Sequence, residues 1–351
     1  MKQLLAYCLS IILCVSFTGC MENYLDLYPE DKITSASFPE NESDIKLLLN
    51  GVYAQLREKE VYNQGLFGFG ITDGATPNAF NWGTDEVFNK LGAGRLSSSD
   101  GGVVTYRWKR CYEIISRANY LLACMDLVDL SEEAKAKYSG ETHFLRGLAY
   151  SVLAETYGGV PIILTNISTE EARSLKRASL EETWQQALDD YEVAITNLGV
   201  DAPEPGRATK GAALGMKMRA YLYQGKYKEV LSCVEQIDAL KKYGLFHSYE
   251  GLFDPANENN KEVLFDIQYI EGENSQGSYI DQYCGTGTGS WTRGSRYVPT
   301  DDLVAAYETI DGSPVDPENP YENRDPRLGF TAVLPGSYFL GYRFPNYLYP
   351  G

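Results

Sequence analysis

Between residues 105 and 241 the apolar positions recur every three or four residues, a period that sorts this stretch into helices. Trp108, Cys111, Tyr112, Ile115, Leu122 and Met125 mark one face of a helix over 105–125. Ser131 opens a second. Glu132 and Glu133 suit its positive N-terminal end, Leu145, Leu148, Val152 and Leu153 extend its stripe, and Gly158-Gly159 with Pro161 stop it. The short connection predicts that the two run antiparallel. Ser179-Leu180-Glu181-Glu182 has the form of a capping box, and Trp184, Leu188, Tyr191, Ile195 and Leu198 form the apolar face of the third helix before Gly199. A fourth helix spans about Thr209 to Gln224, and Gly225-Lys226-Tyr227 turns the chain into a fifth that ends near Lys241. The run from Ala220 to Val230 reads like the turn of a tetratricopeptide repeat. The pattern predicts a mostly α fold, a tetratricopeptide-like helix-pair array with long loop regions and a few short strands. Trp108 and Trp184, on helical stripes, are core positions.

The flanks have another texture. Residues 63 to 104 are rich in glycine, with Phe67, Phe69, Phe80 and Trp82 among them, and sustain neither period. Loops longer than about 15 residues inside a compact domain tend to carry function. Val263, Phe265, Ile267 and Tyr269 alternate with Leu264, Asp266 and Gln268, which predicts one strand. Beyond it, residues 271 to 297 form a second glycine-rich loop bearing Tyr279, Tyr283, Trp291, Arg293 and Tyr297.

The first residues predict export. Lys2 precedes a largely apolar run from Leu4 to Phe17, which leads into Thr18-Gly19-Cys20; this is the layout of a cleaved signal rather than a membrane span. A cysteine at the cut site predicts a lipoprotein acylated at Cys20, tied to a membrane by acyl chains worth about 0.8 kcal/mol per buried methylene. Without residues 1–19 the chain keeps 30 basic and 48 acidic side chains, a net charge of −18. That field repels phosphates, so nucleic-acid binding and adsorption to anionic lipid are both disfavoured. Cys111, Cys124, Cys233 and Cys284 remain after cleavage and acylation, at spacings that match neither a disulfide framework nor a zinc site. Cys111, on an apolar stripe, reads as a small buried hydrophobe.

Nine segments in chain order carry a family resemblance. They are Cys20 with Tyr24-Leu25-Asp26-Leu27-Tyr28-Pro29; Leu49-Asn50-Gly51-Val52-Tyr53-Ala54; Trp108 to Leu122 with Arg117-Ala118-Asn119; and Phe144-Leu145-Arg146-Gly147-Leu148-Ala149-Tyr150. Tyr157-Gly158-Gly159-Val160-Pro161 follows, then Arg207-Ala208-Thr209-Lys210-Gly211-Ala212-Ala213, Asn260-Lys261-Glu262-Val263, Val298-Pro299-Thr300 with Leu303, and Arg324-Asp325-Pro326-Arg327. Each is weak alone; together they resemble the SusD/RagB family of outer-membrane nutrient-uptake lipoproteins of Bacteroidetes. The resemblance implies an α-helical lipoprotein on the outside of the outer membrane, a lid on a SusC-like, TonB-dependent barrel transporter. It delivers glycans, or peptides in the RagB-like branch. The expected layout is a signal peptide over 1–19 and one domain over 20–351, with the helix pairs in 20–240 and a loop-rich part in 241–351. Family members continue past the Arg-Asp-Pro-Arg motif, whereas this sequence stops at Gly351. The expectation is a truncated chain that exposes part of its last repeat interface.

Sugars stack their C–H faces on aromatic rings and pair their hydroxyls with amides, carboxylates and guanidinium groups. Trp291 beside Arg293 fits this chemistry, and the resemblance implies binding aromatics in that segment. Tyr283 and Tyr279 are the next candidates, with Trp82, Asn81, Asp73 and Asn78 from the earlier loop. For any one ring, packing of the loop onto the body is the competing role. Chemistry finds little support: no carboxylate pair is singled out among the acidic residues, His143 and His247 have no metal-ligand spacing, and no nucleophile motif is present. No cofactor is called for. Arg324-Asp325-Pro326-Arg327 reads as a turn pinned by proline and an internal ion pair, and Asp301-Asp302 as a helix start. The sequence therefore predicts a binding protein rather than an enzyme; a helical scaffold for protein contacts alone is the other class.

Overall fold

The computed structural model describes residues 38–57, 72–81, 90–97, 99–269, 297–339 and 341–344. The leader and Cys20 lie outside them. Most of the long helices begin where the sequence supplies a side-chain cap. Helix α1, Glu42–Tyr53, starts at Asn41, whose side chain accepts from the Asp44 amide. Helix α2, Val103–Met125, follows Gly102, and α3, Glu132–Tyr157, is capped by Ser131. A short helix α4, Thr169–Ser174, opens with a capping box on Ser168 and Glu171 that has no apolar stripe behind it to betray it. The predicted box at Ser179 and Glu182 forms, opening α5, Leu180–Asn197. Thr209 caps α6, Lys210–Tyr223, and α7 spans Tyr227–Ala239 after Gly225 at φ 69°.

These helices pack as a row of neighbours. Helix α3 lies along α5 and α2, α5 along α6, and α6 along α7, while α1 covers α2 and α3. Phe144, Leu145, Tyr150, Leu153 and Tyr191 are fully buried between them, each worth about 1.5–3 kcal/mol of transfer free energy. Trp184 is buried and Trp108 packs against the same core, as the stripes predict. Helix α7 uses Cys233 as its buried contact and leaves Tyr227, Leu231 and Val234 exposed on its other side. Cys111, Cys124 and Cys233 are buried free thiols, with burial pushing the pKa of each up; Cys284 lies outside the described residues.

The motif residues turn out to join these elements. Arg146 on α3 forks onto Asp190 on α5, with Nη2 at 2.7 Å and Nε at 3.0 Å, and donates through Nη1 to Asn119 Oδ1 on α2 at 2.8 Å. Asn119 donates in turn to the carbonyls of Ile163 and Thr165. At Gly159 a methyl group would stand 2.0 Å from the Ala178 carbonyl, so only glycine lets the chain after α3 pass the segment that opens α5.

The strand predicted over 263–269 does not form. Alternation provides two faces but no partner strand, and Phe265 and Ile267 instead pack directly on the helical core, Phe265 edge-on to Phe144 at 4.9 Å. Strands occur where alternation is too short to read. Strand β1, Ala79–Asn81, pairs antiparallel with β2, Tyr297–Pro299, and β3, Tyr338–Phe339, pairs with β4, Tyr342–Arg343. Between the two pairs lie α8, Asp301–Ala306, and α9, Arg327–Thr331. Asp301 and Asp302 occupy the first turn of α8 behind a Thr300 cap, the helix-start role read from the sequence.

Candidate functional site

The site is built on the stems of the two glycine-rich loops. Residues 72–75 make a short 3-10 turn, after which the Thr76 hydroxyl donates to the Asp73 carbonyl at 2.8 Å and accepts from the Asn78 amide at 3.2 Å. This delivers the chain into β1, where Ala79 faces Pro299, Phe80 faces Val298 and Asn81 faces Tyr297. Thr300 fastens the pair. Its amide donates to the Asn78 carbonyl at 3.0 Å, its hydroxyl donates to the Pro77 carbonyl, and the same oxygen accepts from Leu303 N to cap α8. Asn81 immediately precedes Trp82, and Tyr297 closes the segment that holds Trp291 and Arg293. In this register the two stems are tied at one end of a small sheet, although more than 200 residues separate them in sequence.

Residues that flank the two loops also meet at a polar cleft of about 300 Å³. Arg57, the last described residue before the first loop, lines it together with Asp266, Ile267 and Gln268, which lead toward the second. Asn50, Tyr53 and Arg207 form its base. Beneath it, the Tyr53 hydroxyl donates to Glu141 Oε2 at 2.8 Å and accepts from the Ala208 amide at 2.9 Å. Arg207 reaches Asn50 Oδ1 at 2.5 Å and Glu141 Oε2 at 3.5 Å while lying 4.9 Å over the Tyr53 ring. Burial raises the pKa of the Glu141 carboxyl, and the Tyr53 and Arg207 contacts pull it part of the way back. Tyr53 is pushed well above its ordinary value, again by burial first. A neighbouring cleft of about 290 Å³ shares Glu204 to Arg207 as its wall and is edged by Asn259, Asn260 and Lys261. The two clefts offer amides, carboxylates and guanidinium groups to a ligand, beside apolar walls that include Leu56, Leu264 and Phe265.

Of the predicted ligand residues, Asp73 and Asn78 are exposed on the first stem, and Asn81 is the last residue of β1. Trp82, Tyr279, Tyr283, Trp291 and Arg293 lie outside the described residues. Phe80, named among the aromatics of the first loop but not among the ligand candidates, is half-exposed on β1. His143 is half-buried and bound through Nδ1 to the Ser139 carbonyl at 2.8 Å, and burial lowers its pKa. Among the described residues no group of three His, Cys, Asp or Glu side chains is placed to hold a metal. Arg324 has a structural role: it is buried and donates to the carbonyls of Pro320, Val304 and Tyr307. Asp325 and Arg327 form the internal fork the sequence suggests, with Nε 3.0 Å from each carboxylate oxygen.

Comparison with known proteins gives these stems a context. A family profile described as "Starch-binding associating with outer membrane", of SusD-like type, matches residues 23–222, and the profile of the SusD family matches residues 261–348. SusD-like protein P25 of Formosa agariphila is 26% identical over 321 residues, covering 85% of this chain and 58% of that protein. A SusD-like protein of Bacteroides ovatus is 23% identical over 276 residues, 72% of this chain and 48% of its own length. The chain thus spans only about half to three-fifths of these relatives. The crystal structure of a SusD-like carbohydrate binding protein from Bacteroides fragilis superposes with a TM-score of 0.77 at 28% identity, covering 86% of this chain and 61% of that one.

Proposed function

The chain belongs to the SusD/RagB family, and from that premise we propose that it captures an oligosaccharide at the cell surface without transforming it. The observation that carries this reading is the β1–β2 register, which ties together the stems of the two loops rich in glycine and aromatic residues. A site made from both loops would present Trp82 and Trp291 as stacking rings and Asp73, Asn78, Asn81 and Arg293 as hydroxyl partners, with Tyr279 and Tyr283 as further faces. The family description as starch-binding and the carbohydrate binding assigned to the Bacteroides fragilis relative support a glycan as ligand. In the same reading residues 1–19 are removed, Cys20 is acylated, and residues 20–351 sit on the outer face of the outer membrane, helix pairs in 20–240 and loops in 241–351. The captured glycan passes to a SusC-like, TonB-dependent transporter. The high acidity of the chain supports a neutral ligand over a phosphorylated one.

A thermal melt of residues 21–351 with separate pools of oligosaccharides and peptides tests this. A ligand of the folded state at 100 times its dissociation constant adds about 2.7 kcal/mol, enough to raise the midpoint. The midpoint rises with a glycan pool, and Trp291→Ala with Trp82→Ala abolishes the rise. A rise with peptides alone, or a glycan response untouched by both substitutions, overturns the loop site.

A further inference from the structure

The two loop stems pair over three residues, and one side chain beyond that pairing adds bonds of its own. Continuing the β1–β2 register by one residue sets Asn78 opposite Thr300. The Thr300 amide donates to the Asn78 carbonyl at 3.0 Å. Bonded pairs alternate along an antiparallel ladder, so the Ala79–Pro299 pair is an unbonded one, a place that suits a residue with no N–H. The Asn78 amide does not return the bond to Thr300; it turns to the Thr76 hydroxyl at 3.2 Å. The Thr300 hydroxyl stands in for that half of the rung. It donates to the Pro77 carbonyl, and its oxygen accepts from the Leu303 amide at 3.2 Å to cap α8. One hydroxyl thus joins the stem of the first loop to the helix that follows the second.

The stem fixed in this way is an exposed one. Asp73, Asn78 and Phe80 lie open to solvent, and the Asn78 backbone is held on both sides, its amide by Thr76 and its carbonyl by Thr300. Helix α8 buries no residue, so these bonds do not hold up the helical core; they set where the first stem sits against the chain that leaves the second loop. We infer that Thr300 is a positioning residue, whose hydroxyl clasps the two stems so that both loops stand at one separation before a ligand arrives. The inference rests on the loop-site reading above. Stems ordered in advance spare the ligand the entropy of ordering them. Stems that spend only a fraction of their time in the competent arrangement bind more weakly by that fraction. Capping α8 requires only an acceptor at position 300, whereas the clasp requires a donor.

Three substitutions separate the donor from the cap. Thr300→Ser keeps both, Thr300→Asp keeps a good capping acceptor but has no proton to donate at neutral pH, and Thr300→Val has neither. Apparent dissociation constants are taken from the midpoint shift of residues 21–351 against the concentration of oligosaccharide pools cut from starch, laminarin, xylan and mannan, with a casein digest as the peptide pool. Because α8 buries no residue, all three variants fold, which melts without ligand check. Thr300→Ser binds as wild type does. Thr300→Asp and Thr300→Val bind about 2- to 10-fold more weakly, the equivalent of one lost hydrogen bond. Adding Phe80→Cys/Val298→Cys to Thr300→Asp restores the affinity when the cross-link forms and loses it again on reduction, because these residues face each other across the stems. Wild-type affinity in Thr300→Asp would reduce Thr300 to a helix cap. A weakened Thr300→Asp that oxidation does not rescue would show that stem position is not what was lost. Either result overturns the inference and leaves the loop site standing. If peptides alone shift the wild type, the glycan reading fails and the same variants still decide the positioning role. If no pool shifts the wild type, the two fail together.

Discussion

At the residue scale, the buried charges explain why polar side chains recur inside the helices. Removing Arg146 would leave Asp190 uncompensated among apolar neighbours, a loss of about 3–5 kcal/mol for a buried pair, and Asn119 would lose its donor as well. Glu141 makes a prediction with a sign. Burial holds its folded pKa above the ordinary 4.5 despite Tyr53 and Arg207, so the folded state binds the proton more tightly than the unfolded chain does. The stabilisation this gives is fully present below pH 4.5 and is lost as pH rises through the folded value. Glu141→Gln cannot titrate. Its stability relative to wild type therefore increases as pH is raised from about 4.5 toward neutrality, as urea unfolding of both proteins at several pH values would record. A relative stability that falls over that range would mean that the Tyr53 and Arg207 hydrogen bonds outweigh burial.

At the element scale, the link from α3 to α5 is held at several points along its backbone. The Ala178 amide donates to the Val160 carbonyl, Arg177 donates to the carbonyls of Gly159 and Tyr157, and Tyr112 from α2 donates to that of Pro161. A Cβ at position 159 would collide with the Ala178 carbonyl and the Ser179 backbone, neither of which can swing aside as a flexible side chain could. Gly159→Ala is accordingly expected to cost more than about 3 kcal/mol in urea unfolding, whereas Gly158→Ala meets no atom and pays only for its φ of 74°. Equal costs at the two positions would show that the link can relax. The same elements show what could be read in advance. The helix starts read at Ser131, Ser179 and Thr209 stand where the sequence puts them, each with a side-chain cap, since a cap is a bond between near neighbours. The segment 263–269 misled because its alternation is satisfied equally by a sheet or by a helical surface.

For the whole molecule, the decisive contact is the one between β1 and β2. If these stems hold a glycan site together, cross-linking them should not harm binding. Phe80→Cys with Val298→Cys places cysteines on directly facing residues, within reach of a disulfide on a paired strand. Its formation, followed by thiol labelling, should stabilise the protein by about 2–4 kcal/mol relative to the reduced form and leave glycan affinity unchanged. Lost affinity on oxidation, restored by reductant, would mean that the stems must part for the ligand to enter.

The sequence by itself determined what depends on near neighbours and on composition: the helices and their caps, the buried faces, the acidic surface, and two loops rich in glycine and aromatic residues. It also displayed Asn50, Tyr53, Asn119, Arg146 and Arg207 as motif residues but could not say that Asn50 bonds to Arg207, Asn119 to Arg146 and Tyr53 to Glu141, because the partners lie far along the chain. Only the tertiary structure decided that the loop stems meet, since pairing over more than 200 residues leaves no local periodicity. Only it set the Thr300 hydroxyl between the Pro77 carbonyl and the Leu303 amide, groups from distant segments whose meeting depends on how the helical body folds the two together.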